Sequence, residues 1–386
     1  MYESDNRYLI YDIAIIGAGA SGLMLASQIK NKKVILIDTN GKIGEKIKVS
    51  GGAKCNITNE YVKNSNYLGN PEFVKTILDQ YTKDDLLKFL NKNGVRPKIN
   101  AKLVKGTYFC NSSSEVISMF SKLITHVKLQ LNTKVDEVEH DKHFILHTSQ
   151  GKIEANKLVV ASGGLSFPKL GASSISYDIA KSFDHELKTL SPALVGFTVQ
   201  KDQFWFKNLS GLSFNVKVKI ENKTFEGGFL FAHKGCSGPV ILNASLYWKK
   251  GTMNIDFLPN QKLSTLCKSN KLISSALPLP KRFLVEFLKS IDLADKPISK
   301  LSKDELEKLK CLKDYEFSPA GNFGYSKAEV TKGGVDCSQI DVTDLQSKNQ
   351  KGLYFLGEAL DVTGELGGYN FQWAFSSAFV CAKNIV

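Results

Sequence analysis

The amino-acid sequence predicts an α/β fold: a parallel, dinucleotide-binding sheet interrupted by an inserted β-rich and helical domain. Three observations predict it. A βαβ pattern with a glycine fingerprint fills residues 11–38. A second strand, glycine turn and helix fill residues 351–383. Between them, from about 194 to 314, the pattern changes to short alternating strands followed by lysine-rich helices. The expected divisions are 1–190 and 331–386 for the two parts of the nucleotide-binding domain, and 191–330 for the insert.

Ile13 to Ile16 form a short apolar run that suits a strand buried on both faces. Gly17 to Gly22 then read G-x-G-x-x-G, and Leu23 to Ile29 continue without a helix breaker. Gly17 permits the tight turn, Gly19 lets a pyrophosphate approach the backbone, and Gly22 lets helix and strand pack closely. Ala20 and Ser21 lie in the first helical turn, whose free N–H groups and positive dipole end suit phosphate. The second apolar run, Val34 to Ile37, ends in Asp38, sixteen residues beyond Gly22. A carboxylate at that place binds a ribose hydroxyl.

Residues 39–59 are rich in Gly, Lys, Ser and Asn and read as a loop able to wrap a cofactor through Lys46, Ser50, Gly51 and Asn56. Pro71 to Asn93 reads as two helices and Glu115 to Ile124 as another. Lys128 to Val138 and His143 to Thr148 alternate like a hairpin. Lys157 to Gly164 reads as a buried strand returning to the parallel sheet and ending in a glycine turn, with Ser162 and Gly163 at its tip. Ser191-Pro192 marks a boundary. Strands are expected at Leu194–Gln200, Phe214–Ile220, Thr224–Phe231 and Thr252–Phe257. A capping box, Ser302 to Glu305, opens one helix of the lysine-rich stretch.

The C-terminal stretch decides which dinucleotide. Leu353 to Leu356 form a short apolar strand that ends in Gly357-Glu358. Gly367-Gly368 then open a final helix through Tyr369, Asn370 and Phe371. Large flavoproteins return their C-terminus to the first βαβ unit in this way: an acid meets the ribityl chain, and a helix points its positive end at the flavin ring. The cofactor expected is therefore FAD, in a two-dinucleotide-type flavoprotein fold.

At this point the chain resembles the HI0933-like (YhiN/BaiN) family of FAD-dependent oxidoreductases. The shared stretches are Gly17–Gly22, Val49–Asn59, Ala161–Pro168, Leu230–Pro239, Glu329–Val335 and Gly352–Phe375. They span nearly the whole length, and one lies in the insert. The chain departs from the family pattern at Glu45 and Lys54, which replace arginines, and after Pro168, where Gly171 to Tyr177 replaces a glycine-rich run. Val135 joins the residues expected around FAD.

Flavin carries the hard chemistry, so the protein need add only orientation and a proton. His233, before Lys234-Gly-Cys-Ser-Gly-Pro, and Tyr369, beside the flavin glycines, are the catalytic candidates. Cys55 is expected to be a small buried packing residue rather than a thiolate. No second G-x-G-x-x-G follows a strand, so NAD(P)H as electron donor would have to bind at the flavin face or by another mode.

The net charge is +13, carried almost wholly by lysine; the arginines are Arg7, Arg96 and Arg282. Dispersed lysine favours weak, non-specific contact with nucleic acid over specific recognition. A small organic substrate is the expectation, with flavin-dependent RNA modification or RNA binding, or a flavin carrier without turnover, as alternatives. The seven cysteines are scattered without C-x-x-C, which argues against a metal site and for a reducing, cytoplasmic setting. No apolar run approaches a membrane span, and Met1–Arg7 lacks a signal core. Oligomeric state is not legible.

Overall fold

The computed structural model describes residues 9–100, 104–266 and 268–385; Met1–Arg7 and Cys267 lie outside them. The chain divides into two compact units, Met1–Pro192 with Glu329–Val386, and Ala193–Ala328.

In the first unit the strand Ile10–Ile16 lies between Val34–Ile37 and Gly151–Val160, parallel to both. Its inner half is buried, as are all four residues of Val34–Ile37. This is why both read as unbroken Ile, Val and Leu rather than as an alternation. Gly151–Val160 serves two neighbours along one edge. Its first half pairs antiparallel with Phe144–Thr148, and its second half pairs parallel with Leu353–Phe355. A strand from the far end of the sequence is thereby added beside Val160 as the last parallel member of the sheet. The final helix, Tyr369–Asn384, packs against the first, Ala20–Gln28.

Local chemistry accounts for most of the remaining elements. Asn70 caps Pro71–Gln80 through Glu72 and Phe73, with Pro71 at the first helical position. Thr82 and Asp85 form a capping box on Lys83–Lys92. Two expectations need correction. The stretch 128–138 is not one strand: Lys128–Gln130 extends the parallel sheet beside Val34–Ile37, Asn132 turns with φ 52°, and Val135–His140 starts the antiparallel meander. The stretch 39–59 holds a helix, Glu45–Ala53, anchored by fully buried Ile47 and broken by non-helical backbone at Ser50, Gly51 and Gly52, and a strand, Asn56–Asn59. Ser191-Pro192 falls where the first unit gives way to the second, near the end of the strand Leu187–Ala193, which pairs with Val330–Val335 in a two-stranded ladder. Such a short edge tolerates proline.

The second unit is a seven-stranded antiparallel sheet with helices. Ser213–Ile220 and Lys223–Ala232 make its long hairpin. Phe206, Phe229, Phe231, Phe257, Phe283, Phe287 and Phe317 fill its core, each fully buried. The expected strand Leu194–Gln200 is reduced to Phe197–Thr198. A helix, Pro239–Tyr247, stands where only strands and turns were expected. The Ser302–Glu305 capping box is present. Among the described residues, no helix is long and apolar enough to cross a membrane, and no group of three or more His, Cys, Asp or Glu side chains is placed to hold a metal.

Candidate flavin site

The glycines of the fingerprint do two different jobs. A Cβ on Gly17 would lie 2.5 Å from the carbonyl oxygen of Ala161, and one on Gly22 would lie 1.9 Å from that of Gly17. Both are required by the packing of the chain on itself. A Cβ on Gly19 would meet nothing within 4 Å. Gly19 is also the N-cap of Ala20–Gln28, and no side chain caps that helix. A helix N-terminus without a side-chain cap, with room beside Gly19, fits a pyrophosphate.

Asp38 stands beside this opening. Its Oδ2 accepts from the Ala18 N–H at 2.7 Å, and its Oδ1 accepts from the backbone and side-chain nitrogens of Asn40 at 2.8 and 3.0 Å. Its carbonyl accepts from Thr133 N–H at 2.9 Å, which brings Val135, at the start of the next strand, to the same edge. The arrangement fits an adenosine ribose at Asp38, with the Thr133–Val135 backbone alongside.

A second cluster gathers residues far apart in sequence. Lys46 Nζ and Glu358 Oε2 form an ion pair of 2.6 Å. Glu358 Oε1 accepts from the Thr331 N–H at 2.9 Å. Thr331, buried, accepts through Oγ1 from the N–H groups of Leu165 and Ser166 at 2.8 and 3.2 Å. Ser162 Oγ lies 2.6 Å from Ser176 Oγ, which donates to the Gly163 carbonyl at 2.8 Å. Burial raises the carboxyl pKa of Glu329 above its ordinary range, and the charge of Lys46 opposes that rise.

The Ser50–Asn56 loop turns through a left-handed run, with Gly51, Gly52, Ala53 and Cys55 at φ 55°, 64°, 67° and 54°. At Ala53 and Cys55 this costs about 1–2 kcal/mol each. Ser50 Oγ donates to the Ile47 carbonyl at 2.8 Å. A Cβ on Gly51 would lie 2.6 Å from Asn56 Oδ1. Burial pushes the Cys55 thiol up to about 12, so it stays a thiol at neutral pH.

The C-terminal turn closes the site. A Cβ on Gly357 would lie 2.2 Å from Ser21 Oγ, and Trp373 Nε1 donates to the Gly357 carbonyl at 3.0 Å. A Cβ on Gly368 would lie 2.4 Å from the Thr58 carbonyl oxygen. Gly368 is the uncapped N-cap of Tyr369–Asn384, so a second helix offers a positive end here. The Asn370 side chain grips the Gly364 peptide at both ends, at 2.8 and 2.9 Å. Its amide is thus spent on the turn, and its backbone N–H is what it can offer a ligand. Phe371 stacks on Phe375.

The two catalytic candidates have contrasting settings. Tyr369 is buried edge-on against Tyr67, with ring centroids 6.0 Å apart, and its carbonyl accepts from the Tyr67 hydroxyl. Burial and nearby Glu365 raise the pKa of its phenol. His233 belongs to the second unit. With Lys234 it forms the exposed two-residue tip between Lys223–Ala232 and Gly235–Ser237. Sequence reasoning missed Asn59, Thr331 and Ser176 as residues that hold the cradle. Their only signal was a polar side chain within a run that had to be buried.

Residues 11–384 match the HI0933-like protein Rossmann domain family model. The chain belongs to the HI0933-like family. It is 37% identical over 397 residues to the ribosomal RNA dihydrouridine synthase of Escherichia coli (strain K12), covering 97% of this chain and 98% of that protein. It is 27% identical over 409 residues to the 3-dehydro-bile acid delta(4,6)-reductase of Clostridium scindens, covering 96% of this chain and 98% of that one. Among solved structures, 3-ketosteroid delta1-dehydrogenase from Sterolibacterium denitrificans shares the fold, with a TM-score of 0.51 at 12% identity, over 97% of this chain and 99% of that one. This HI0933-like protein is therefore an FAD-binding flavoprotein oxidoreductase.

Proposed function

We propose that this HI0933-like enzyme uses FAD to reduce a uridine of ribosomal RNA to dihydrouridine. The observation that carries the reading is the 37% identity to a ribosomal RNA dihydrouridine synthase across essentially the full length of both chains. The reading departs from the expectation of a small free substrate without specific nucleic-acid binding.

The residues that would hold FAD are the Gly19–Gly22 amides at the pyrophosphate, Asp38 at the adenosine ribose, and Lys46, Glu358 and the Gly367–Phe371 turn around the flavin. When bound, FAD supplies a two-electron hydride-transfer centre. The chain's own groups bind, orient and neutralise. The positive end of Tyr369–Asn384 favours negative charge at the ring. The Lys46–Glu358 pair sets one positive and one negative charge at fixed places. Reduction of the uracil C5=C6 bond adds hydride at C6 and a proton at C5, and His233, an exposed imidazole, is the proposed proton source. NAD(P)H is the proposed electron donor. A net charge of +13 supports attraction to a polyanion. The bile-acid reductase relative supports a second reading, the same addition to a double bond conjugated with a carbonyl in a small molecule.

The test is incubation of the FAD-loaded protein and NADPH with ribosomal RNA lacking dihydrouridine, followed by nucleoside mass spectrometry. Dihydrouridine formation is expected. Its absence from a preparation whose flavin NADPH reduces would overturn the RNA reading and favour the small molecule.

A further inference from the structure

We infer that Phe167 and Glu329, gathered around Lys46, form the subsite that holds the uracil ring of the target uridine. The inference rests on the RNA reading above and names the residues that take the base.

Phe167 has φ 65° and ψ 61°. A bulky residue in left-handed backbone is an outlier, and a residue before proline is pushed towards extended backbone. Phe167 breaks both preferences, because Pro168 follows it. Strain of this kind persists only where the surroundings impose it, and it gathers at ligand sites. Here the clamp is visible: the N–H groups of Leu165 and Ser166 both donate to Oγ1 of buried Thr331, at 2.8 and 3.2 Å. Burial returns little for the strain. The Phe167 side chain is half-exposed and belongs to neither hydrophobic core. Lys46 Nζ stands 6.0 Å from the centre of its ring.

Glu329 meets the same cation. The charge of Lys46 acts on its carboxyl, against the burial that favours the neutral form. Among the described residues, that half-buried carboxyl has no hydrogen-bond or ion-pair partner. Glu358 is the contrast: its Oε2 is spent on Lys46 at 2.6 Å and its Oε1 on the Thr331 N–H at 2.9 Å. Two acids therefore attend one lysine, one engaged through both oxygens and the other through neither. The place adjoins the glycine fingerprint, because a Cβ on Gly357, the residue before Glu358, would lie 2.2 Å from Ser21 Oγ.

The occupant follows from this chemistry. An enzyme that acts on a base takes it out of the stack, lays its face on an aromatic side chain and reads its Watson–Crick edge by hydrogen bonds. Uracil presents on that edge an N–H between two carbonyl oxygens. One oxygen of Glu329 accepts from the N–H, and in the neutral form the other donates to the adjacent carbonyl. A steroid enone has the carbonyl without the N–H and would leave the acceptor unused.

The test uses the full-length FAD-loaded protein with NADPH and ribosomal RNA lacking dihydrouridine, with kcat/KM read by nucleoside mass spectrometry. Phe167→Gly should lower kcat/KM roughly 5- to 150-fold, the range for losing one stacked base, and Phe167→Tyr should keep the wild-type value. The melting temperature of Phe167→Gly should not fall below that of the wild type, since glycine suits left-handed backbone. Glu329→Ala should lower kcat/KM about 10- to 150-fold, the range for a hydrogen bond to a charged group. Glu329→Gln, which keeps an acceptor and a donor, should restore most of it. FAD content and the rate of flavin reduction by NADPH should match the wild type in every variant. Wild-type kcat/KM in both Phe167→Gly and Glu329→Ala, in a protein that still forms dihydrouridine, would overturn the subsite and leave the reading of function intact. Lost FAD, or slowed reduction by NADPH, would give these side chains to the cofactor or the nicotinamide and overturn the subsite as well. A wild-type protein that forms no dihydrouridine would overturn both.

Discussion

Around the cofactor cradle, an added methyl on Gly17, Gly22, Gly164, Gly357 or Gly368 would land within 2.5 Å of another atom of the chain. In the second unit the corresponding tight places are filled by rings: Phe283 alone lies within 6 Å, centre to centre, of Phe214, Phe231, Phe257, Phe287 and Trp205. One region is made exact by the absence of side chains and the other by their bulk. The difference teaches where each will fail. The cradle depends on backbone shape and on hydrogen bonds between distant segments, so a single substitution can end ligand binding without unfolding the sheet. The aromatic core has no ligand to lose, and damage to it appears as stability.

Gly19→Val gives the sharpest form of this contrast. Gly19 has φ −86°, which suits any residue, and open space around its missing Cβ. The variant should fold, lose its yellow colour and fail to take up FAD, while the melting temperature of the apoprotein stays at the wild-type value. Full flavin occupancy in the purified variant would put the phosphate site elsewhere. Phe283→Ala should have the opposite outcome: FAD retained, with a loss of about 3–5 kcal/mol in urea unfolding, as for large-to-small changes in packed cores. A loss under about 1 kcal/mol would mean that the ring cluster is not a tightly packed core.

Asp38→Ala is intermediate. It removes the acceptor of the Ala18 N–H as well as the proposed ribose ligand. FAD should bind about 1.5–3 kcal/mol more weakly by calorimetric titration, the scale of a charge-assisted hydrogen bond. An unchanged dissociation constant would remove Asp38 from the site. The smallest effect concerns pH. Burial raises the thiols of Cys55 and Cys110 from 9.0 to about 12 in the folded chain. Above pH 9 the unfolded chain gives up protons that the folded chain keeps, so stability falls as pH rises through that window, by up to about 1.4 kcal/mol per pH unit for each thiol. Urea midpoints at pH 8 and pH 10 should show a smaller alkaline loss for Cys55→Ala than for the wild type. Equal losses would mean that the buried thiol is not what titrates.

The parts of the fold visible in sequence were those with local causes. The Ile13–Ile16 and Val34–Ile37 runs, the fingerprint glycines and the Ser302 capping box each announce themselves within a few residues. The helix Pro239–Tyr247 did not, because Gly238-Pro239 reads as a breaker and Val240-Ile-Leu as a strand, although proline at the first helical turn is favourable. Glu45–Ala53 was hidden by the glycines that end it. The site was legible as a list of residues and not as an arrangement. Nothing local says that Lys46 meets Glu358, 312 residues away, or that Asn370 turns its amide back onto Gly364.

The strand Leu353–Phe355, set beside Gly151–Val160, also fixes an order of events in synthesis. The sheet of the first unit lacks its last parallel strand until residue 355 has left the ribosome, and the helix that opens at the flavin turn follows later still. The stretch 193–328, with a core of its own, emerges before that and has all its strands in hand. Domains generally fold as units as they emerge. The nascent enzyme therefore carries a completed insert beside an unclosed nucleotide fold, and flavin capture becomes the closing step of its biogenesis.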